Sequence, residues 1–583
     1  MTTKYEVPIA KVFNQLSDTD SDIEHLKDNS NFLRGTLVDS FADPLTGAIT
    51  EDDGQIIKYH GSYQQDDRDV RNARLAKKLE PAYSFMIRVR LPGGHLTAKQ
   101  WLSSDEISRK YGNQTMKITT RQALQYHGIL KTNMKKTIQE MDKSLLDSVA
   151  TCGDINRNVM CSQDPSISTI NDQVFPYADA IAERLLPTSR AYHEIWLDDD
   201  SDKKLVAGGG EISEPIYGKH YLPRKFKIAI AIPPYNDIDI YTNDIGFIAV
   251  EEDGKLVGFN ISVGGGLAMT FGRDDTFPRL GDEIAFCKPE QAVDAAQQIL
   301  CIQRDYGNRN DRKLSRFKHT VERYGKDFIK AQLDERMGEV LEAPRHVEFT
   351  TSSDRYGWHQ CKEGKWHLLL YIQGGRIVNR EGYPQKDILA EIAKLDVCDF
   401  RITGNQNLQL INIKPEDKAK VEALIAKFDK SDDASHLSAM HRNAIACVAL
   451  NTCSLAMAEA ERYLPGMIDR VQPILEKNNL VDTPIKMRMT GCPNGCGRSI
   501  MGEIGFIGKS VGRYNMYLGG DYVGNRLAAL YKENLNEEQI MAELEVLLKD
   551  YADNREENEY FGDFAVRTNL VKASKGGLAF HQG

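Results

Sequence analysis

The chain has 583 residues, of which 41% are hydrophobic and 27% are charged, and its formal net charge is −10. This balance is typical of a folded protein with several domains and excludes a disordered or fibrous chain. Because binding of nucleic-acid phosphates needs clustered lysine and arginine, the acidic total argues against nucleic acid as the main partner.

Periodic apolar patterns predict mixed α and β structure along the chain. Strands are predicted at 85–92, 226–232 and 365–372, and helices at 179–186, 288–305, 454–464 (ended by Pro465) and 536–548. No apolar run approaches the roughly 18–20 residues that span a bilayer. Since the first residues also lack the basic and apolar regions of a secretory signal, we expect a cytoplasmic protein without a membrane segment.

Two pairs of similar segments recur in the same order along the chain. KITTRQALQ at 117–125 is echoed by RITGNQNLQ at 401–409, and IGFI at 245–248 is repeated at 504–507. These echoes predict an internal duplication, in which each half begins with a ferredoxin-like piece and continues as a larger α/β piece. Two halves related by a pseudo-twofold axis meet at a seam, where large cofactors commonly bind.

Positively charged residues concentrate beside the predicted strands of the first half. The motifs contain Arg88 and Arg90, Lys117 and Arg121, Arg157, and Arg224, Lys225 and Lys227. Residues two apart on a strand share a face, and buried cations on one face are costly unless an anion compensates them. A single pair of cations on a strand is better explained as solvent-exposed charge on an edge strand of a sheet. Four motifs in one half predict an anion pocket, beside which His127 is either a proton donor or a buried core histidine.

Four of the ten cysteines form two close pairs, and the other six are scattered. Cys447 and Cys453 lie in ACVALNTCSLAMAEAE, and Cys492 and Cys496 lie in TGCPNGCGR. Four thiolates can hold an iron–sulfur cluster, and the Pro-Asn-Gly turn folds the second pair back on itself. The spacing alone leaves open a structural zinc site or four buried, unreactive thiols.

Together these motifs resemble the siroheme nitrite and sulfite reductase family. The similarity extends from SNFLRGT at 30–36 and YHGSYQQDDRDVR at 59–71, through the basic motifs and both cysteine pairs, to GRYNMYLGG at 512–520. Within the family, the chain is most similar to the hemoprotein (beta) subunits of assimilatory NADPH-dependent sulfite reductases. The cysteine motifs are specific to the family, so the resemblance favours an iron–sulfur cluster over zinc.

The resemblance implies two cofactors, a siroheme and a [4Fe–4S] cluster. The implied cluster ligands are Cys447, Cys453, Cys492 and Cys496, and Cys496 is also the axial ligand that bridges to the siroheme iron. The implied catalytic residues, which hold the substrate anion, are Arg88, Arg157, Lys225 and Lys227. The implied siroheme-side residues are Lys117, Arg121, Gln125 and His127. Lys117 and Thr120 stand where Arg and Asn are common in relatives, so the siroheme contacts of this motif stay open.

The duplication and the resemblance together predict an α+β fold. Pseudo-twofold-related, ferredoxin-like halves and two larger α/β domains are expected around a central siroheme. The predicted segments are an N-terminal arm that wraps the core (1–76), the first ferredoxin-like half (77–145), the first α/β domain with siroheme and substrate residues (146–340), the second ferredoxin-like half (341–430) and the second α/β domain with the cluster cysteines (431–583).

The implied reaction is the six-electron reduction of sulfite to sulfide in sulfate assimilation and cysteine biosynthesis. Gly264–Gly266 does not form the G-x-G-x-x-G fingerprint, so the electrons are expected to come from another protein. The resemblance implies a flavoprotein subunit (FAD/FMN) that oxidises NADPH, in a hetero-oligomer. The alternative function is that of a ferredoxin-dependent sulfite or nitrite reductase. A more remote alternative is a non-catalytic protein with a four-cysteine zinc site.

Overall fold

The computed structural model describes residues 16–162, 164, 166, 168–189, 195–199, 202–207, 214–361, 363–428 and 434–582. Within these ranges, helices flank four five-stranded sheets and one two-stranded sheet. No helix in these ranges is both long enough and apolar enough to cross a membrane.

The N-terminal arm consists of short helices and one strand. Its elements are α1 (Asp22–Asn29), α2 (Leu37–Ala42), α3 (Glu51–Ile56), β1 (Ser62–Asp66) and α4 (Arg68–Ala76). Two of its helices begin at side-chain caps, because Thr50 and Asp67 accept hydrogen bonds from the backbone amides of Asp53 and Asp69. β1 pairs with the first strand of the next segment, so the arm is joined to a sheet of the core.

The first half of the core has a ferredoxin-like piece followed by a larger α/β piece. The ferredoxin-like piece contains β2 (Tyr83–Val89), β3 (His95–Leu96), α5 (Ala98–Lys110), β4 (Met116–Ile118), β5 (Leu124–Ile129) and α6 (Met134–Lys143). The larger piece contains β6 (Met160–Cys161), α7 (Asn171–Val174), α8 (Pro176–Arg184), β7 (Ile195–Asp199), β8 (Asp202–Ala207), β9 (Ile228–Ala231), β10 (Ile245–Glu252), β11 (Lys255–Val263), β12 (Asp282–Cys287), α9 (Ala292–Tyr306), α10 (Phe317–Tyr324) and α11 (Lys326–Met337). The strands and helices predicted in this half are confirmed as β2, β9, α8 and α9.

The second half repeats this order. Its ferredoxin-like piece contains β13 (Gly357–Gln360), β14 (Trp366–Leu370), β15 (Arg376–Ile377), α12 (Gln385–Lys394), β16 (Asp399–Ile402), β17 (Leu408–Ile413) and α13 (Pro415–Ile425). Its larger piece contains α14 (Ala439–Arg442), β18 (Ile445–Ala446), α15 (Leu464–Lys477), β19 (Met487–Thr490), β20 (Ile504–Ser510), β21 (Arg513–Leu518), β22 (Ala529–Leu535), α16 (Glu537–Asn554) and α17 (Phe561–Arg567). The predicted strand at 365–372 and helix at 536–548 are confirmed as β14 and α16.

The segment that follows the first cysteine pair is not helical, so that prediction is wrong. Residues 454–463 form turns and irregular structure, and α15 begins with Pro465 in its first turn. Proline is favoured at this position because the amide that it lacks has no helical partner there. Within the loop, the amides of Met457 and Ala458 donate to the carbonyl of Gly491 at 2.8 and 3.1 Å. These bonds tie the loop to the second cysteine pair.

The two larger α/β pieces contain equivalent sheets. The strand orders are β12-β11-β10-β9-β6 in the first half and β18-β19-β20-β21-β22 in the second. In each sheet, three parallel strands are followed by two antiparallel ones. The two IGFI segments both begin the third strand, at Ile245 and Ile504. The structure thereby confirms the predicted duplication.

The ferredoxin-like pieces are interlocked by an exchange of short strands. β15 of the second half pairs antiparallel with β4 of the first, which aligns Arg376 with Lys117, and β3 pairs with β16 in the same way. The fully buried ring of Trp101 in α5 stacks on Phe400 in β16, with ring centroids 4.4 Å apart. Both pieces share one apolar core, so neither buries its apolar faces alone.

A buried histidine in β14 makes the fold sensitive to acid. His367 is 3% exposed, and neither ring nitrogen has a hydrogen-bond partner in the described part of the chain. Burial and then the charge of Arg401 lower the pKa of His367 from 6.5 to about 4. The unfolded chain binds this proton between pH 6.5 and pH 4 and the folded chain does not. His367 is therefore expected to cost up to about 3 kcal/mol of stability as the pH falls through that window.

His367→Leu is expected to remove this loss and to be neutral or stabilising at pH 7, because it replaces two unsatisfied buried nitrogens with apolar surface. Thermal unfolding of the wild type and the variant at pH 7 and pH 5 measures the effect. His346→Leu, at an exposed position outside the strands, is the control. An identical pH dependence in His367→Leu and the wild type would contradict the prediction.

Candidate functional site

A cavity of about 610 Å³ lies where the arm, the ferredoxin-like pieces and both larger α/β pieces meet. Every residue with a predicted catalytic, siroheme or cluster role lines this central cavity. These residues are Arg88, Lys117, Arg121, Gln125, His127, Arg157, Lys225, Lys227, Cys447, Cys453, Cys492 and Cys496. Of the other cations in the basic motifs, Arg224 also lines it, whereas Arg90 does not and instead pairs with Asp147 at 2.7 Å. The six scattered cysteines are all described, and none of them lines the cavity. The fold thus brings together side chains that are far apart in sequence.

Two arginines with predicted catalytic roles lie side by side. Arg88, on β2, donates from Nη1 to the carbonyl oxygen of Thr151 at 3.2 Å. Arg157, just before β6, donates from Nη1 to the same carbonyl at 2.9 Å and from Nε to the carbonyl of Gly153 at 2.9 Å. Sharing one acceptor holds the two guanidinium groups together at the cavity wall, where their combined charge suits an anion.

Lys225 and Lys227 precede β9 and alternate with the buried Phe226, so both ammonium groups reach the cavity. Within the described chain, neither ammonium has a hydrogen bond or an ion pair. Burial and then the charge of Arg316 lower the pKa of Lys225 to about 7. Burial and then the charge of Lys225 hold the pKa of Lys227 well below its usual range. An anion in the cavity is expected to restore both charges.

Lys117 has a different environment from the other cations. It is 1% exposed, its Nζ lies 2.9 Å from Oε2 of Glu461, and it also donates to the carbonyl of Gly374. Arg376 holds the same carboxylate through two hydrogen bonds of 2.7 and 3.0 Å. Although burial alone raises it, the charges of Lys117 and Arg376 bring the pKa of Glu461 down to about 2. Lys117 thus already has a carboxylate partner inside the protein.

Gln125 and His127 lie on β5, opposite Arg88. With its amide oxygen facing Arg88, Gln125 accepts from Nε and Nη2 at 2.9 and 2.6 Å, and its NH₂ donates to Nε2 of His127 at 3.2 Å. Burial and then the charge of Arg376 keep the pKa of His127 well below its usual range. The imidazole is therefore neutral, and its Nδ1 is buried without a hydrogen-bond partner in the described residues. Of the two roles left open for His127, this geometry favours the buried neutral histidine.

Arg121 is held by neutral groups on one side and faces the cavity on the other. It donates to Oδ1 of Asn243 at 2.8 Å and to the carbonyls of Asn158 and Ile228 at 2.7 and 3.1 Å. Its Nε is buried without a partner in the described residues. Burial lowers the pKa of Arg121 to about 9, so the guanidinium stays charged at neutral pH. A carboxylate in the cavity would compensate this charge.

The two cysteine pairs lie on loops that follow neighbouring parallel strands, β18 and β19. The amide of Gly491 donates to Sγ of Cys447 at 3.3 Å, which links one pair to the other. Gly497, directly after Cys496, has no room for a side chain, because the carbonyl oxygen of Met489 would lie 2.3 Å from a Cβ. Close backbone packing therefore sets the positions of these thiols.

The four thiols influence one another electrostatically. Cys496 is exposed toward the cavity, and its charge acts on the other three. Burial and then Cys496 raise the pKa of Cys447 well above its usual range and that of Cys492 to about 11, and Cys453 shifts in the same direction. Four thiolates at one wall are stable together only beside a compensating cationic centre. In the described ranges, no three His, Cys, Asp or Glu side chains are placed to share a single metal ion.

Some residues of the site are not evident from the local sequence. The hydroxyl of Thr120 donates to the carbonyl of Cys496 at 2.9 Å, so the Thr that departs from the common Asn contacts the cysteine loop directly. Glu461 lies in the cysteine motif but its partners come from both halves. The cavity is also lined by Lys58, Tyr63, Asn243, Arg312 and Arg498. Of these residues, Tyr63 lies in the motif at 59–71 and Lys58 directly precedes it.

Comparisons with known families match three segments of the chain. The "Nitrite/Sulfite reductase ferredoxin-like half domain" matches residues 77–144 and 359–428, and the "Nitrite and sulphite reductase 4Fe-4S domain" matches residues 177–341. The latter segment contains Lys225 and Lys227 but not the paired cysteines, which lie in the equivalent piece of the second half. The five domain limits given above remain predictions.

Curated relatives are similar over nearly the full chain. The "Sulfite reductase [NADPH] hemoprotein beta-component" of Anoxybacillus flavithermus is 53% identical over 562 residues, which cover 96% of this chain and 98% of that protein. The protein of the same name from Bacillus subtilis is 51% identical over 574 residues, covering 98% and 100%. The structure of Mycobacterium tuberculosis NirA superposes with a TM-score of 0.76 at 25% identity, covering 94% of this chain and 96% of that one.

These matches confirm three predictions: the α+β fold with ferredoxin-like halves, the oxidoreductase class, and a siroheme with a [4Fe–4S] cluster as cofactors. The cavity fits such groups, since it presents cations without partners and four thiols on one wall. The chain therefore belongs to the nitrite and sulfite reductase family.

Proposed function

We propose that the chain reduces sulfite to sulfide with six electrons, as the hemoprotein component of an NADPH-dependent sulfite reductase in sulfate assimilation. The observation that carries this proposal is the convergence of four cations and four thiols on one cavity. Identity above 50% to sulfite reductase beta-components supports sulfite, rather than nitrite, as the substrate.

A bound siroheme and [4Fe–4S] cluster would supply the redox chemistry, and the chain's residues would hold the cofactors and the substrate. In this proposal Cys447, Cys453, Cys492 and Cys496 would hold the cluster, and Cys496 would have a second role in holding the siroheme. Arg121 holds siroheme carboxylates through its charge, and Gln125 keeps Arg88 oriented by accepting from its Nε and Nη2.

Substrate binding and proton supply are assigned to the basic residues of the first half. Arg88 and Arg157, fixed by the shared Thr151 carbonyl, hold the negative charge of sulfite. Each oxygen that leaves sulfite departs as water and so needs two protons. Lys225 and Lys227 are the proton donors, because burial and neighbouring cations (Arg316 for Lys225, Lys225 for Lys227) lower their pKa values toward the range in which a lysine gives up its proton readily.

Electrons are proposed to come from a flavoprotein subunit that oxidises NADPH. This chain has no G-x-G-x-x-G fingerprint after a strand, and its relatives are named as the beta-component of an NADPH-dependent enzyme. The rival donor is a ferredoxin. Because the two donors differ only in the protein that docks, the assignment is testable with purified components.

The experiment is to purify the chain from cells that make siroheme, record its visible spectrum, and assay iron and zinc in the same sample. We expect isobacteriochlorin bands with about five irons per chain. With a chemical electron donor, sulfite should yield stoichiometric sulfide, and kcat/KM for sulfite should exceed that for nitrite. NADPH should support the reaction only with the flavoprotein subunit added.

Each part of the proposal has its own contrary result. A colourless protein that contains zinc would overturn the enzyme assignment. A normal spectrum with faster turnover of nitrite would overturn the substrate. Turnover with reduced ferredoxin, and none with NADPH and flavoprotein, would overturn the donor.

A further inference from the structure

A buried ion-paired cluster adjoins the cysteine loops without taking part in the proposed chemistry. It consists of Lys117, Arg376 and Glu461, which we name the charge triad. Glu461 is bound from both sides, at 2.9 Å by Lys117 and at 2.7 and 3.0 Å by Arg376. Lys117 is 1% exposed and the side chain of Glu461 11%, so little water screens these charges.

The charge triad is connected to a cluster cysteine through the backbone. The amide of Glu461 donates to the carbonyl of Cys447 at 3.1 Å. The Glu461 carboxylate is held by two cations on neighbouring strands. β4 of the first half carries Lys117, and β15 of the second half pairs with it and places Arg376 directly opposite Lys117. Glu461 thereby anchors the Cys447 loop to one sheet in which strands of both halves pair.

We propose that Lys117, Arg376 and Glu461 are positioning residues that fix Cys447 and set the reduction potential of the [4Fe–4S] cluster, rather than ligands of the siroheme carboxylates. The inference deepens the proposed function and depends on Cys447 as a cluster ligand. It changes the role predicted for Lys117, whose ammonium is engaged by Glu461 and by the carbonyl of Gly374.

The net charge of the charge triad determines whether a substitution raises or lowers the reduction potential of the cluster. Two cations and one carboxylate leave one positive charge close to Cys447. Reduction adds an electron to the cluster, so positive charge nearby favours the reduced form and raises the potential. Removing Glu461 leaves two positive charges and is expected to raise the potential. Removing Lys117 leaves a neutral Arg376–Glu461 pair and is expected to lower it.

The test is a redox titration of the holoenzyme, with the cluster followed by electron paramagnetic resonance. Glu461→Gln should shift the cluster potential upward, and Lys117→Met should shift it downward. The double variant restores a single positive charge and should return close to the wild type. A purely structural role cannot produce opposite shifts, because both single variants break the same ion-paired cluster.

Lys386→Met is the matched control. Lys386 is also buried and ion-paired, with Asp105 at 3.0 Å, but it packs between α12 and α5 and does not line the central cavity. It should lower the melting temperature without moving the potential. If the Glu461→Gln variant does not assemble a cluster, the inference is tested by Lys117→Met and Arg376→Met, each of which is expected to lower the reduction potential of the cluster.

Shifts in the same direction for Glu461→Gln and Lys117→Met, or no shift in either beyond that of Lys386→Met, would overturn the inference. Iron analysis of the wild type separates this failure from that of the proposed function. A wild-type protein without a cluster removes the function itself, whereas a cluster insensitive to the triad removes only the inference.

Discussion

Cys496→Ser is expected to reduce sulfite turnover to below about a thousandth of the wild-type rate, the largest effect of any single change in the central cavity. Serine oxygen is a poor ligand for iron in a thiolate site, and the proposed link between cluster and siroheme passes through this sulfur. Cys496 is the thiol whose charge acts on the other three cysteines, so its loss also changes the environment of the remaining ligands. Turnover with a chemical donor, together with iron and labile sulfide content, measures the effect.

Cys398→Ser is the control for this prediction. Cys398 is buried in the second ferredoxin-like piece, and burial raises its pKa to about 12, so it stays a neutral thiol away from the central cavity. The control should keep its iron and its turnover. Cys496→Ser with full iron content and normal turnover would remove Cys496 from both of its proposed roles.

Lys227→Met is expected to slow sulfite reduction by about 10²–10⁴-fold while leaving the visible spectrum of the cofactors unchanged. The ammonium has no partner in the described chain, so methionine removes a proton donor without orphaning another group. Since burial and Lys225 oppose its charge, the substitution should leave the melting temperature unchanged or raise it. Steady-state kinetics and thermal unfolding measure these expectations.

Lys227→Arg separates charge from proton transfer. Arginine keeps the positive charge but does not release a proton near neutral pH. Sulfite should therefore bind to this variant with a KM close to that of the wild type, while kcat stays low, as in Lys227→Met. Wild-type kcat in either variant would show that Lys227 does not supply protons to the reaction.

Much of the fold follows from local sequence patterns. The alternation in 226–232 and the helical periodicity in 536–548 each depend on neighbouring residues, and both elements form where predicted. The repeated IGFI segments also indicated the duplication before the sheets were known. By contrast, the helix predicted at 454–464 is wrong, because tertiary hydrogen bonds to Gly491 hold this Ala-rich segment as a loop.

The sequence by itself determined the residue types of the site: two cysteine pairs and four basic motifs that needed an anion. The tertiary structure alone decided which of these basic side chains have no carboxylate partner within the protein. Lys117 and Lys227 are both lysines in basic motifs, yet strand exchange places Lys117 against Glu461, while Lys227 faces the cavity unpaired. An ion pair between residues 344 positions apart depends on how two halves interlock, and no local periodicity encodes that contact.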